Sequence, residues 1–323
     1  MRTNTNIKSC YVAGHKGMVG SSIVRLLEKE YPYINIIVSE KAKLDLTDQN
    51  KVNEFILKNK PDLVIIAAAK VGGILKNLNF PADFLFENST IQNNIIHSCF
   101  INKVPKLLFL GSSCIYPRMS KQPIKETELL TGPLEKTNEA YALAKILGIR
   151  LCHFYNKQYG CNYKSLMPTN LFGQGDNYHP EESHVIPGLI QRFHKAKLIK
   201  APDVKIWGSG KPLREFLYVD DLAKASLFVG LSNNKEMDNI FIKSESFLNV
   251  GSGIEISINN LAIKIAKLVE YDGKLIFDKS KPDGTPRKLL DSTLLKSLGW
   301  EHKISFEEGL QKAYHFFKIH NKK

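Results

Sequence analysis

Long apolar runs are missing from this sequence. None approaches the roughly 20 consecutive apolar residues that a membrane span needs, and the lead from Met1 to Ser9 is polar, without the apolar centre of a secretory signal. A cytoplasmic protein that does not enter the membrane is the expectation. Cysteine is scarce: Cys10, Cys99, Cys114, Cys152 and Cys161 are the five among 323 residues, with no C-x-x-C pair and no histidine at ligand spacing. That argues against a disulfide framework and a structural zinc site, so no metal is expected. Apart from Cys114, they read as small buried hydrophobes. A dense basic block is also absent. The net charge of +13, from 45 Lys+Arg against 32 Asp+Glu, is spread along the chain. It suits small polyanionic ligands rather than nucleic acid.

What is present reads as alternating strands and helices. Residues 9–13 form a buried strand, followed by a glycine-rich turn and an amphipathic helix over 19–29. Strand 34–39, helix 49–59, strand 63–69, helix 83–102 and strand 106–111 continue the pattern. Such alternation predicts an α/β fold, a doubly wound parallel Rossmann sheet. After about residue 163, Pro and Gly cluster at 167–180 and 201–212, which marks a smaller C-terminal α/β lobe for substrate. Residues 214–229 again read as strand then helix, so the chain is expected to return to the first lobe. The expected division is 1–168 with about 213–245 for the dinucleotide lobe, and about 169–212 with 246–323 for the other.

Gly14, Gly17 and Gly20 form G-x-x-G-x-x-G between the first strand and the first helix. Glycines permit the tight turn and let backbone N–H groups approach a pyrophosphate at the positive end of the helix. At the end of the second strand, Glu40 is outnumbered by Lys41 and Lys43, and Lys16 lies in the glycine turn. Cations there suit the 2′-phosphate of NADP(H). Asp45 and Leu46 follow, placed to meet the adenine.

Tyr141 and Lys145 are four apart in a strong helix former, so phenol and ammonium share a face. A nearby ammonium is expected to lower the phenol toward neutral pH and make it a proton donor. Ser112 follows the strand 106–110, at the strand end where active groups gather in open parallel sheets. A carbonyl held by Ser112 and Tyr141 over a nicotinamide is a hydride-transfer site. In an extended segment Cys114, two residues on, shares that face.

Gly14-His-Lys-Gly-Met-Val-Gly20, Val71-Gly-Gly73, Gly111-Ser-Ser-Cys-Ile-Tyr-Pro117, Asn138-Glu-Ala-Tyr-Ala-Leu-Ala-Lys145, Met167-Pro-Thr-Asn-Leu171, Ser183-His-Val-Ile-Pro187, Trp207-Gly-Ser-Gly210 and Lys281-Pro-Asp-Gly-Thr-Pro-Arg-Lys288 together resemble the GDP-L-fucose synthase family of extended short-chain dehydrogenases/reductases. The resemblance runs almost from end to end. It implies 3,5-epimerisation and then NADPH-dependent 4-reduction of GDP-4-keto-6-deoxy-mannose. The C4 ketone acidifies the C3 and C5 protons, so one base and one acid can invert both centres. By resemblance Cys114 is the base and His184 the acid, while Tyr141, supported by Ser112 and Lys145, protonates the C4 oxygen.

The resemblance places NADPH against Gly14, His15, Lys16, Gly17, Met18, Val19, Gly20, Lys41, Asp45, Leu46, Leu110, Gly111, Ser113, Lys145, Pro168, Asn170, Leu171 and His184. It places the GDP-sugar against Arg192, Trp207, Arg214 and Lys274, with Lys288 a secondary candidate. It also implies a homodimer through helix 83–102 and the helix bearing Tyr141.

The sequence departs from the family pattern in places. Lys stands for the expected Arg at 16, 41 and 274, which keeps charge but loses the bidentate fork. Ala140 replaces a frequent Pro. Gln174-Gly-Asp-Asn and Lys76-Asn-Leu-Asn also differ, and both are expected near the sugar. These changes leave open a C4 reductase for a related GDP-4-keto-6-deoxy sugar such as a heptose, without epimerisation. A non-catalytic NADPH-binding sensor is the reading from another class.

Overall fold

The computed structural model describes residues 6–180 and 182–320, so most of the polar lead lies outside it. The first half holds β1 (Ser9–Ala13), α1 (Met18–Glu30), β2 (Asn35–Ile37), α2 (Gln49–Asn59), β3 (Leu63–Ile66), α3 (Ile74–Asn79), α4 (Pro81–Ile101) and β4 (Lys106–Leu110). Then follow α5 (Glu139–Tyr159), β5 (Tyr163–Pro168), β6 (Asn170–Phe172), α6 (Val185–Leu198), β7 (Asp203–Trp207), β8 (Leu213–Tyr218), α7 (Val219–Gly230) and α8 (Lys235–Lys243). The chain finishes with β9 (Phe247–Val250), β10 (Glu255–Ser257), α9 (Ile258–Val269), β11 (Lys274–Asp278), β12 (Arg287–Lys288), α10 (Thr293–Ser297) and α11 (Phe306–His320).

Six strands make one parallel sheet in the order β2-β1-β3-β4-β5-β9. Because alternate residues of a strand face opposite ways, β1 feeds two cores. Cys10 and Val12 face α1 and α7 with Ile23, Leu27, Leu222 and Leu227. Tyr11 and Ala13 face α2, α4 and α5 with Val52, Ile56, Ile95, Ile96 and Ile149. Apolar surface covered on both faces is what a parallel sheet requires. A third core joins β6 and β8 to α6, α9 and α11 through Phe172, Ile190, Phe193, Phe216, Ile265 and Phe317. Helix boundaries follow local chemistry: the Asp48 carboxylate accepts from Lys51 N–H at the start of α2, and left-handed Gly160 ends α5.

The structure differs from the sequence expectation in four places. β2 is only three residues long because it is an edge strand paired with β1 alone. β3 stops at Ile66, where the chain passes under Gly14. A Cβ on Gly14 would stand 2.6 Å from the Ala68 nitrogen. α3 was not anticipated, and α4 begins at Pro81. Finally, the return to the first lobe is split. α7 packs on α1, but β8 pairs with β6, β10 and β12 in a second sheet. The sixth strand of the large sheet is β9, beyond the expected limit at 245. Among the described residues no helix is long and apolar enough to cross a membrane.

Candidate active site

The sheet reverses direction of growth between β1 and β3, and the glycine turn sits at that switch point, where open α/β sheets bind ligands. Gly14 has φ +86°, and Gly17 N–H closes the turn on Gly14 O at 3.0 Å. A Cβ on Gly20 would collide with Gly14 O. Gly17 caps α1 without a side-chain hydrogen bond, so the first-turn N–H groups of Met18, Val19 and Gly20 remain for an anion. This cradle fits a dinucleotide pyrophosphate. Around it Lys16 pairs with Glu40 at 2.7 Å, both exposed, and Lys41 is an exposed loop residue. Asp45 accepts from Thr47 N–H and Oγ1 at 2.9 and 2.8 Å, which holds its carboxyl below the usual range. Its side chain therefore shapes the loop, while Leu46 packs against the sheet core.

At the carboxyl end of β4, Gly111 lies against Met167 with no room for a Cβ. Ser112 begins a 3-10 turn, Ser113–Ile115, and its Oγ accepts from Cys114 N–H at 3.2 Å. This turn replaces the extended segment expected, and it brings Ser112 and Cys114 together by a local hydrogen bond. Lys145 on α5 is buried and donates to Leu110 O at 2.8 Å, with Nζ 5.7 Å from the Tyr141 ring centre.

Burial acts oppositely on the helix pair. It pulls the Lys145 ammonium down to about 7. It pushes the Tyr141 phenol up, with a smaller contribution from Cys114, and the hydrogen bond from Ser112 opposes that rise. The expected lowering of the phenol by Lys145 is thus corrected: desolvation outweighs the ammonium, whose Nζ is engaged by Leu110.

Pro168 ends β5. Asn170 Nδ2 donates to Glu215 O at 2.9 Å, and Leu171 packs on the first core, so the 168–171 segment is fixed where β5 meets β6.

His184 is the N-cap residue of α6, extended and without a side-chain cap bond. The residue is exposed, while desolvation by the protein around it lowers its imidazole from the usual value. Gly73 N–H donates to Glu182 O at 3.3 Å, and Lys76 Nζ donates to the Glu182 carboxylate at 2.7 Å. α3 thereby ties the His184 segment to the turn at 136–138, on which it packs. That turn carries Asn138, whose Nδ2 donates to Cys114 Sγ at 3.1 Å. Lys76 is one of the sequence departures, and it does lie beside the His184 segment. The other, around Gly175, lies at the start of α1, where a Cβ would be 3.6 Å from Met18 Cα. Next to it half-buried Asp176 has one buried, unpartnered oxygen, and desolvation pushes its carboxyl up to about 7.

Of the expected sugar-nucleotide residues, three gather. The Arg192 guanidinium stands 5.5 Å from the Trp207 ring and donates to Lys205 O. Arg214 donates to Asp283 O at 3.1 Å and lies within electrostatic reach of Cys114. Lys274 does not join them. β11 runs parallel to β7, so Lys274 pairs with Asp203 while Asp278 pairs with Trp207. Four residues of strand, about 13 Å, separate Lys274 from the Trp207 end. The cation found there is Lys281, with Nζ 5.7 Å from the Trp207 ring. Lys281 and Asn138 both lie inside the motifs above, where the sequence pattern alone assigns neither a role. A hollow of about 500 Å³ between Phe216, Ile256, Ile263, Ile304 and Phe306 lies apart from all of these and contains none of them.

A family model described as the NAD dependent epimerase/dehydratase family matches residues 10–241. The chain is 53% identical to GDP-L-fucose synthase of Escherichia coli K12 over 308 residues, 95% of each chain. Among solved structures it resembles MlghC, a GDP-mannoheptose C4 reductase from Campylobacter jejuni with NADP bound, at 36% identity and TM-score 0.87, covering 98% of this chain and 99% of that one. It also resembles a GDP-L-fucose synthetase from Naegleria fowleri bound to NADP, at 29% identity and TM-score 0.87, covering 99% and 97%.

Proposed function

The chain belongs to the NAD dependent epimerase/dehydratase family, and from that premise we propose an NADPH-dependent 3,5-epimerase and 4-reductase that converts GDP-4-keto-6-deoxy-D-mannose to GDP-L-fucose. The observation that carries the reading is the coupling of two chemistries in one turn. Ser112, which opposes the upward shift of the Tyr141 phenol, accepts from the backbone of Cys114, the residue suited to take a proton from carbon.

The residues divide the work as follows. Ser112 and Tyr141 hold the C4 oxygen, which acidifies C3 and C5. Cys114 thiolate removes a proton from one face, and His184 imidazolium returns one to the other. Each inversion leaves a thiol and a neutral imidazole. Both exchange protons with solvent before the second inversion, so solvent hydrogen enters at C3 and C5. The Gly14–Gly20 turn would hold NADPH, which when bound would supply the hydride for C4. Tyr141 delivers the balancing proton to the C4 oxygen, and Lys145 sits behind its ring. Arg192, Trp207 and Arg214, with Lys281 in place of Lys274, take the GDP moiety in the second lobe, the cations opposing the diphosphate. A cytoplasmic homodimer through α4 and α5 completes the reading.

A 4-reductase for a GDP-heptose is favoured by the similarity to MlghC; Cys114, with Asn138 and Lys288 directed at its sulfur, favours the bifunctional enzyme. The test is incubation with NADPH and GDP-4-keto-6-deoxy-mannose in D₂O, followed by absorbance, mass and NMR. NADPH oxidation with deuterium at C3 and C5 is expected. Reduction without deuterium overturns the epimerase half. Cofactor binding without turnover, on this sugar and on a heptose analogue, would leave a sensor.

A further inference from the structure

Lys288 is buried, 9% exposed, and among the described residues no carboxylate comes within ion-pair distance of it. Its Nζ instead points at Cys114 Sγ, 3.6 Å away. A buried ammonium without an anionic partner is costly and is normally removed or neutralised. Here the backbone around it is fixed. β12 pairs with β8, setting Lys288 beside Arg214. Leu289 N–H donates to Gln122 Oε1 at 2.9 Å, and Leu290 N–H donates to the buried Glu215 carboxylate at 3.0 Å. The neighbouring groups are Asn138, whose Nδ2 donates to the same sulfur while its Oδ1 is buried without a partner, the Arg214 guanidinium, and Glu135, which lines the same small hollow and is paired with Arg118.

We propose that Lys288 is the counter-charge of the Cys114 thiolate, a positioning residue that, with the Asn138 amide, keeps the sulfur anionic and aimed for proton removal. Two N–H donors converge on one sulfur from different elements, and a thiolate accepts such bonds far better than a thiol. The proton lost from carbon goes to sulfur, so the positive charge of Lys288 is left unbalanced after each transfer. That favours release of the proton to solvent and return of the thiolate. The assignment rests on the epimerase reading, and it gives the Lys281–Lys288 motif a purpose beyond holding the nucleotide.

The test begins without substrate, because the thiolate is the form that alkylates. Full-length protein is treated with iodoacetamide at pH 7 and Cys114 modification is followed by peptide mass, with half-exposed Cys161 as internal control. In Lys288→Met, Cys114 alkylates at least tenfold more slowly while Cys161 is unchanged, and Lys288→Arg recovers most of the rate. With the 4-keto sugar in D₂O, the ratio of C3 exchange to C4 reduction falls at least tenfold in Lys288→Met. Should that variant not fold, Lys288→Gln serves with the same expectations. Unchanged Cys114 alkylation overturns the proposal. So does a rise in KM for the GDP-sugar with exchange and reduction lowered alike, which makes Lys288 a nucleotide anchor. Absence of exchange in the wild type overturns the epimerase reading, whereas the alkylation result still decides whether Lys288 governs the sulfur.

Discussion

Tyr141 and Lys145 are one helical turn apart, and their surroundings alter their acidities in opposite directions. That makes Lys145 a stability element as well as a site residue. It titrates near 7 in the folded chain and at its ordinary 10.5 when unfolded. Between those values the unfolded chain binds more protons, so stability rises with pH across the window. Below about pH 7 both states are charged and the whole cost of burying the ammonium is present, on the order of a few kcal/mol.

Lys145→Met removes the titration, though it also leaves Leu110 O unpaired at every pH. The difference in Tm, variant minus wild type, is therefore expected to fall between pH 7 and 10; a flat difference would refute the buried-ammonium account. The positions of Ser112, Tyr141 and Lys145 were legible because i to i+4 spacing and a strand end fix direction. Their acidities were not, because desolvation depends on Phe109, Phe84 and the packed sheet rather than on neighbours in sequence. Lys274 was misplaced for a related reason: a two-stranded register decides which end of β11 approaches Trp207, and no local pattern records it.

At the scale of elements, the glycine turn was readable and β12 was not. The turn's requirement is local. Gly14 needs a left-handed φ and Gly20 needs the space of a missing Cβ. Gly20→Ala should push the start of α1 off Gly14 O and weaken NADPH at least tenfold in a fluorescence titration, with the far-UV CD spectrum unchanged. Binding within twofold of wild type would detach the turn from the cofactor.

β12 spans two residues and has no periodicity to read. Its place is set by Glu215, buried on β8, whose carboxylate accepts from Gly253 N–H at 2.6 Å and Leu290 N–H at 3.0 Å. A Cβ on Gly251 would run into the same carboxylate. Glu215→Ala leaves the buried Leu290 N–H and the part-buried Gly253 N–H unpaired, at about 1–3 kcal/mol for a fully buried group. A loss of about 3 kcal/mol in urea unfolding is expected, together with slower alkylation of Cys114, since β12 carries Lys288. Destabilisation below 1 kcal/mol would mean that water satisfies those groups.

For the molecule as a whole, the parallel sheet and the second lobe followed from alternation and from the change in Pro and Gly content. The return of the chain to the first lobe was expected too, and α7 makes it; which strand returns was not, because β8 and β9 are both short segments whose sheets are chosen by distant partners. The surface that remains apolar argues for assembly. On α5, Leu143, Leu147 and Phe154 are 43%, 42% and 48% exposed at spacings of four and seven, one stripe of the helix. On neighbouring α4, Leu85, Phe86 and Ile101 are 39%, 70% and 52% exposed. Each helix has 21 residues and is about 31 Å long. Side by side the two offer a footprint of the size that a stable interface, about 800 Å² per partner, needs.

Tyr141 and Lys145 occupy the opposite face of α5 from that stripe, so a partner packed there would brace the helix that carries them without touching substrate. Leu143→Glu with Leu147→Glu would bury four carboxylates in a symmetric contact, since each copy meets its own patch. Light scattering should then give a particle of one chain, with kcat lowered and the circular dichroism of the fold retained. A double variant that keeps the wild-type mass would move the interface off α5, whereas a monomer with full kcat would show that the helix holds Tyr141 in place without a partner.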